Sequence, residues 1–346
     1  MAEIGRVNGH RFTGPLPFAS AGIPPAKRPN PEALAYDLEA ALSAVFTLRS
    51  TVPEDAFTAG TLGTEREGNG ILIGNDGLVL TIGYLIAEAA AVTLADSRGR
   101  EIPARAIAYD QESGLGLVRA LERPAAAALP RGTAGTLAVG DTVVLAAGGG
   151  AKQALLAEIA SKREFAGYWE YLLEEAVFTV PPHPHWSGAA LLDDRGRLCG
   201  VGSLYVQDAR NDAGSVSGNM PGNMPGNMIV PIDLLEPILA DLVATGRSGA
   251  PPRPWLGMFT SETDDGLIVA GLVQGGPAHR GGVRLGDILL ALEGRPVARL
   301  ADFYRRVWSC GGPGTAVRLR LAREGRLVTA TVRPGDRYAR LRPPRS

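Results

Sequence analysis

Net charge is all but missing from this sequence. Its 346 residues carry 35 Lys+Arg against 36 Asp+Glu, a formal charge of -1. A surface without basic excess has no hold on a phosphate backbone, which excludes non-specific nucleic-acid binding. Cysteine is scarce as well. Cys199 and Cys310 fall in different expected domains, which excludes a disulfide framework. No stretch reaches the ~20 apolar residues of a membrane helix. Residues 1–25 show no apolar core between a basic start and a small-residue cleavage site, so no secretory signal is visible and a cytoplasmic protein is expected. Histidine is limited to His10, His183, His185 and His279, so any imidazole-dependent chemistry has few candidates.

What is present is core-forming material: 45% hydrophobic residues with 21% charged. At roughly 100–200 residues per domain the chain has room for two or three. Residues 1–37 read as a Pro/Gly-rich arm. A short amphipathic helix is expected over "PEALAYDLEAALSAV", grading into a strand near Val45–Leu48. From there to about residue 240 short strands alternate with Gly-rich turns. "GNGILIGNDGLVLTIG" reads as two strands about a tight turn at Asn75–Gly77. This spacing predicts a mostly β protein with two barrels, about 38–130 and 131–240, within a domain spanning 38–246. "VPIDLLEPILADLVATG" reads as a helix with Pro231 near its start and Gly246 ending it. Residues 247–254 are a linker by composition. Residues 255–336 form a small α+β unit with a helix at "LADFYRRVWSC" and a hairpin turning at Glu324-Gly325, where arginines alternate with apolar residues. Residues 337–346 read as a basic tail. The tandem "GNMP-GNMP-GNM" (Gly218–Met228) reads as a loop expansion that cannot pack a core, or as a Met-bearing adaptable surface.

Several of these segments occur in one order. "EGNGILIGNDGLVLTIGYLIAEA", "YDQESGLGLVRAL", "DTVVLAAGGG", "PHWSGAALLDDRGRLCGVGSL" and "PGNMIVPIDLLEPIL" resemble successive parts of the two-barrel, trypsin-like domain of the HtrA (DegP-like) protease family. "WLGMF", "LIVAGLVQGGPAHRGGVRLGDILLALEGRPVARLADFYRRV" resembles that family's C-terminal PDZ domain. The resemblance implies a trypsin-like double β-barrel followed by a PDZ domain, peptide C-termini as partners, trimeric or mixed oligomers, and a periplasmic alternative for the compartment.

Set against the family's motifs, the catalytic pattern departs. Where the family reads T-N-x-H-V-V this chain has "TIGYLI", putting Tyr84 at the histidine position. Where it reads D-L-A this chain has "GLG", with Gly114 at the aspartate position. Where it reads G-N-S-G-G-P this chain has "HWSGAA": Ser187 stays at the serine position, and His185 and Trp186 take the glycine and asparagine before it. A serine hydroxyl attacks an amide only if a neighbouring base takes its proton. A phenol, with a pKa near 10, is a donor at neutral pH. Glycine has no side chain to orient an imidazolium. Loss of triad members costs about 10⁴–10⁶ in rate. His185 also replaces the glycine whose backbone N–H the family uses in its oxyanion hole, and Trp186 is positioned to fill that pocket. A Ser–Lys dyad through Lys152 or Lys162 has no pattern pointing to it. "HPH" lacks the further ligands of a zinc site, so no metal or cofactor is expected.

The PDZ resemblance implies that Trp255-Leu256-Gly257-Met258 is the loop that holds a peptide's terminal carboxylate on its backbone N–H groups. Phe303 and Val307, four apart on the facing helix, would line the pocket for the last side chain, or be plain core. Gly286-Asp287 reads as a turn. Three functions follow. The first is a non-cleaving HtrA-like protein that binds peptide C-termini or unfolded segments. It would act as a homo-trimer or beside an active paralogue, with Phe12, Phe18 and Tyr36 of the arm available for assembly. The second is a serine endopeptidase using Ser187 with a non-standard base. The third is a scaffold with both sites vestigial.

Overall fold

The computed structural model describes residues 4–7, 10–13, 22–210 and 223–343. In the arm, β1 (Ile4–Val7) pairs antiparallel with β2 (His10–Thr13). The helix expected over residues 31–45 is split. Asn30 caps a 3-10 turn at Pro31–Ala33, and Asp37 caps α1 (Leu38–Ser43), its Oδ1 accepting from Ala40 N at 3.0 Å. Two capping residues so close together each open their own turn. Tyr36 is half-buried against Gly196, where an added Cβ would lie 2.5 Å from its ring. The side chain of Phe12 and the whole of Phe18 lie outside the described residues.

The first barrel contains β3 (Val45–Thr51), α2 (Ala59–Leu62) after it, and then β4 (Glu65–Gly74), β5 (Leu78–Ile82), β6 (Ala91–Ala95), β7 (Glu101–Tyr109) and β8 (Leu115–Ala120). It closes in the order β3-β4-β5-β8-β7-β6. Period-two patterning drives it: on β7, Ile102, Ala104, Ala106 and Ala108 are buried while Glu101, Pro103 and Arg105 face solvent. The second barrel is β9 (Thr142–Ala146), β10 (Ala154–Gly167), β11 (Tyr171–Val180), β12 (Ala190–Leu192), β13 (Leu198–Val206) and β14 (Gly226–Pro231), closed in the order β10-β11-β14-β13-β12-β9. The β10–β11 hairpin is the longest among the described residues and reaches out to the C-terminal unit. Pro231 both ends β14 and caps a 3-10 turn at Ile232–Leu234, which leads into α3 (Glu236–Thr245); α3 stops at Gly246, as its sequence requires.

The tandem repeat is a correction. Residues 218–222 lie outside the described residues, but the last copy is strand: Asn227 and Met228 of β14 are fully buried. Asn227 Oδ1 accepts from His183 N at 2.6 Å, which gives this polar side chain a partner inside the barrel.

The C-terminal unit follows with β15 (Pro254–Trp255), β16 (Met258–Thr263), β17 (Gly266–Leu272), α4 (Pro277–Arg280), β18 (Ile288–Leu292), β19 (Arg295–Pro296), α5 (Leu300–Ser309), β20 (Val317–Arg323), β21 (Arg326–Val332) and β22 (Gly335–Asp336). Its sheet runs β16-β17-β18-β20-β21, with β15 pairing β22. On β20 Val317, Leu319 and Leu321 point inward and Arg318 and Arg320 outward. Its core also takes in Leu172 from β11 of the second barrel. The expected basic tail is a strap instead. Arg337 Nη1 donates to Trp169 O at 3.1 Å, Gln111 N donates to Tyr338 Oη at 2.7 Å, and Arg342 N donates to Glu88 Oε1 at 3.1 Å. At its end Arg342 reaches back to the first barrel, its guanidinium pairing with Asp55 and its backbone N–H donating to Glu88.

Candidate functional site

Ser187 sits in the loop between β11 and β12, 5% exposed. Asn69 of β4, itself buried, fixes that loop from the other barrel. Its backbone N–H and its Nδ2 donate to Ser187 O at 2.8 and 2.9 Å, and Nδ2 also reaches His185 O at 2.9 Å. Asn69 Oδ1 accepts from Gly148 N at 2.8 Å, so one side chain ties three segments together.

Tyr84 lies on the 3-10 turn Gly83–Leu85 that follows β5. Buried Arg66 steadies that turn by donating to Tyr84 O at 2.8 Å and Ala87 O at 3.0 Å. The Tyr84 hydroxyl is 3.0 Å from Ser187 Oγ and 2.6 Å from Ser203 O on β13. A phenol has one proton and a carbonyl can only accept, so the short contact takes the proton. Burial pushes the Tyr84 hydroxyl far above its ordinary range, so it stays protonated across physiological pH.

Gly114 adopts φ 77, and a Cβ there would lie 2.9 Å from the hydroxyl of Tyr171. Tyr171 Oη donates to Ser113 O at 2.7 Å. A phenol therefore fills the space that any side chain at position 114 would need. The nearby Asp110 carboxylate is spent on Ser113, accepting from its N at 2.7 Å and its Oγ at 2.6 Å.

The histidines form a relay of another kind. His185 N donates to His183 Nδ1 at 2.9 Å, which leaves the His183 proton on Nε2 for Gln153 O at 3.0 Å. Burial lowers the His183 pKa to about 4, so this ring is neutral. The backbone N–H at the position implied for an oxyanion donor is thus turned onto an imidazole. Burial also lowers the pKa of His185, against the pull of Glu67. Trp186 is buried and packs on Tyr205, ring centroids 5.8 Å apart. Lys162 is committed to Glu175 at 3.1 Å and to the carbonyl of Ala134.

The other half of the site is in the C-terminal unit. Gly257 takes φ 72, a left-handed conformation that lets successive N–H groups converge. The amides of Leu256, Gly257 and Met258 donate at 2.8, 2.7 and 3.2 Å, all to one carboxylate, that of Glu170 at the tip of the β10–β11 hairpin. Phe303 and Val307 are buried in the core beside Leu256 and Met258, and Trp255 packs edge-on to Phe57 at 6.0 Å. A cavity of about 410 Å³ joins the two halves: Tyr84 and Gly114 line one side, Gly257 and Met258 the other. Glu170, Tyr171, Asn69 and His183's role as acceptor are not marked by any local sequence pattern.

Comparison with known proteins agrees with this layout. Residues 68–201 match the model of a trypsin-like peptidase domain, and residues 254–333 match a PDZ domain. The chain is 27% identical over 303 residues to a "Probable periplasmic serine endoprotease DegP-like" of Pseudomonas fulva (strain 12-X), covering 82% of this chain and 60% of that protein. A protein of the same description from Ectopseudomonas mendocina (strain ymp) is 26% identical over 283 residues, covering 76% and 56%. The chain thus spans less than two thirds of the length of these curated relatives. Among solved structures, the HtrA-type protease AlgW with tripeptide aligns at a TM-score of 0.50 and 22% identity, over 89% of this chain and 97% of that one, a likeness of fold. Among the described residues no helix is long and apolar enough to cross a membrane. The chain thus carries a trypsin-like peptidase domain with a PDZ domain behind it, an order of domains consistent with the HtrA fold.

Proposed function

We propose that this protein is a non-cleaving member of the HtrA-like group, which captures carboxylate-ended or unfolded peptide segments through its PDZ domain. The observation that carries the reading is the group placed at Ser187 Oγ: the protonated phenol of Tyr84, 3.0 Å away, in the position of the family's histidine. Two further observations support it. Tyr171 fills the aspartate space at Gly114, and His183 takes the backbone N–H of His185. Nucleophilic attack needs proton removal and a place for the developing oxyanion, and these act as a unit. The competing reading, a serine endopeptidase, draws on the names of the relatives.

Labelling with a fluorophosphonate decides between them. The full chain is expected to remain unlabelled, like Ser187→Ala. Labelling of the wild type that Ser187→Ala abolishes would establish an activated nucleophile and end the non-cleaving reading. The relatives' names favour the periplasm over the cytoplasm expected above, and we assign the protein there, checked by cell fractionation. We further assign it to an oligomer of its own copies or with a cleaving paralogue, checked by light scattering with and without that partner.

A further inference from the structure

The tip of the β10–β11 hairpin is built against the preference of its own turn. Gly167 pairs with Tyr171, which leaves the three-residue loop Tyr168-Trp169-Glu170. Such loops end in a left-handed residue, for which glycine is the favoured choice. Here that residue is Glu170, at φ 62. A side chain with a Cβ is held in this conformation only where its surroundings over-determine it.

Those surroundings are the three parts of a PDZ groove. The loop amides of Leu256, Gly257 and Met258 all donate to the Glu170 carboxylate. On the edge strand β16, Thr260 N donates to Tyr168 O at 2.9 Å, a main-chain bond of the kind an added strand makes. On the helix α5, Tyr304 Oη donates to Gly167 O at 2.9 Å and accepts from Glu170 N at 3.1 Å. Arg305 of α5 pairs with Glu164 and Glu174 on the two stems of the hairpin. Leu172, just past the tip, is buried in the PDZ core. Carboxylate, main-chain strand and apolar anchor are what a peptide terminus offers such a groove.

We propose that the hairpin tip, residues 167–172, is a built-in ligand of the PDZ groove: the side-chain carboxylate of Glu170 stands in for a chain-terminal carboxylate, and a peptide enters from outside only as the hairpin withdraws. This rests on the reading that the groove accepts carboxylate-ended peptides, and it adds what regulates that groove. Being covalently attached, the hairpin competes at an effective concentration no dilute peptide matches. The apparent affinity for an outside peptide is reduced by the fraction of time the groove is filled.

The test uses the full chain with two variants and two measurements. Glu170→Gly removes the carboxylate while giving the turn the residue it prefers, so the hairpin itself keeps its shape. Tyr304→Phe releases the tip from α5 and leaves the carboxylate loop untouched. Hydrogen exchange is followed at the amides of Leu256, Gly257 and Met258. Fluorescence anisotropy is measured with a labelled decapeptide ending in an apolar residue, once with a free carboxylate and once amidated. Glu170→Gly is expected to speed exchange at the three amides. It is also expected to tighten binding of the free-carboxylate peptide by about tenfold or more, with no gain for the amidated one; Tyr304→Phe moves both in the same direction by less. Unchanged exchange in Glu170→Gly, or measurable peptide binding of equal affinity in wild type and both variants, overturns the proposal. Faster exchange without peptide binding in any form upholds the built-in ligand and retires the capture of outside peptides instead.

Discussion

Tyr171 decides what can stand at position 114. Its hydroxyl would be 2.9 Å from any Cβ added there, and the backbone is left-handed. Gly114→Asp is therefore expected to destabilise the fold by about 1–3 kcal/mol, seen as a lower Tm with no gain of function. The pair Tyr84→His with Gly114→Asp should stay silent to a fluorophosphonate, because the new carboxylate is displaced by Tyr171 and the His185 amide remains on His183. Labelling of that double variant would show that substitution of the family residues was the only barrier. Tyr84 also has a structural duty. Tyr84→Phe leaves Ser203 O without its 2.6 Å donor, at a cost of about 1–3 kcal/mol by chemical denaturation. At this scale the motifs point to Tyr84 and Gly114, but not to the groups packed against them. Tyr171 and the His183–His185 contact are not legible, since which phenol or ring nitrogen fills a gap depends on segments far apart in the chain. Asn69 and Ser187, 118 residues apart, make the same point.

Strands and turns are more legible than sites, because period-two patterning and turn residues are local. The alternation on β7 and β20 and the Glu324-Gly325 turn follow from it. The β10–β11 hairpin breaks the pattern at its tip, and that tip has a pH dependence. Burial pushes the Glu170 carboxyl from its ordinary 4.5 up to about 7, opposed by the amides of Leu256, Met258 and Gly257 and by the charge of Arg337. Tyr304, the other titratable group against it, stays protonated because burial raises it far out of range. An acid whose docked value lies above its free value carries an extra proton when docked. Its docking is fully favoured below about 4.5 and loses that advantage as pH rises through about 7. A peptide's own terminal carboxylate is ionised throughout this window. Peptide affinity of the wild-type chain is thus expected to rise between mildly acid and mildly alkaline buffer, while Glu170→Gly stays flat. A wild-type profile as flat as the variant's would show that this carboxyl does not titrate in the docked hairpin.

At the scale of the whole molecule, composition and motif order specify two barrels and a PDZ unit, yet say nothing of how these are joined. Between Arg247 and Pro254 the sequence suggests only a linker. The joining is done by the hairpin on one side and by the C-terminal strap on the other. Tyr338 is the strap's anchor: it accepts from Gln111 N at 2.7 Å, and Arg247 of the linker stacks over its ring at 5.0 Å. Arg340 Nη2 donates to Gly275 O at 2.9 Å, and Arg342 pairs with Asp55 at 2.6 Å, so one short segment grips both domains. The exposed pair at Arg342 contributes little by itself, whereas the half-buried Tyr338 contacts couple the units. Loss of the strap alone leaves the hairpin in place, and loss of Glu170 alone leaves the strap. Only the two together, a chain ending at Asp336 that also carries Glu170→Gly, are expected to separate the domains. Calorimetry should then resolve two transitions where the parent shows one cooperative unit. A single unshifted transition in that double change would locate the coupling elsewhere, in the Arg305 pairs with Glu164 and Glu174 and in Leu172 within the PDZ core.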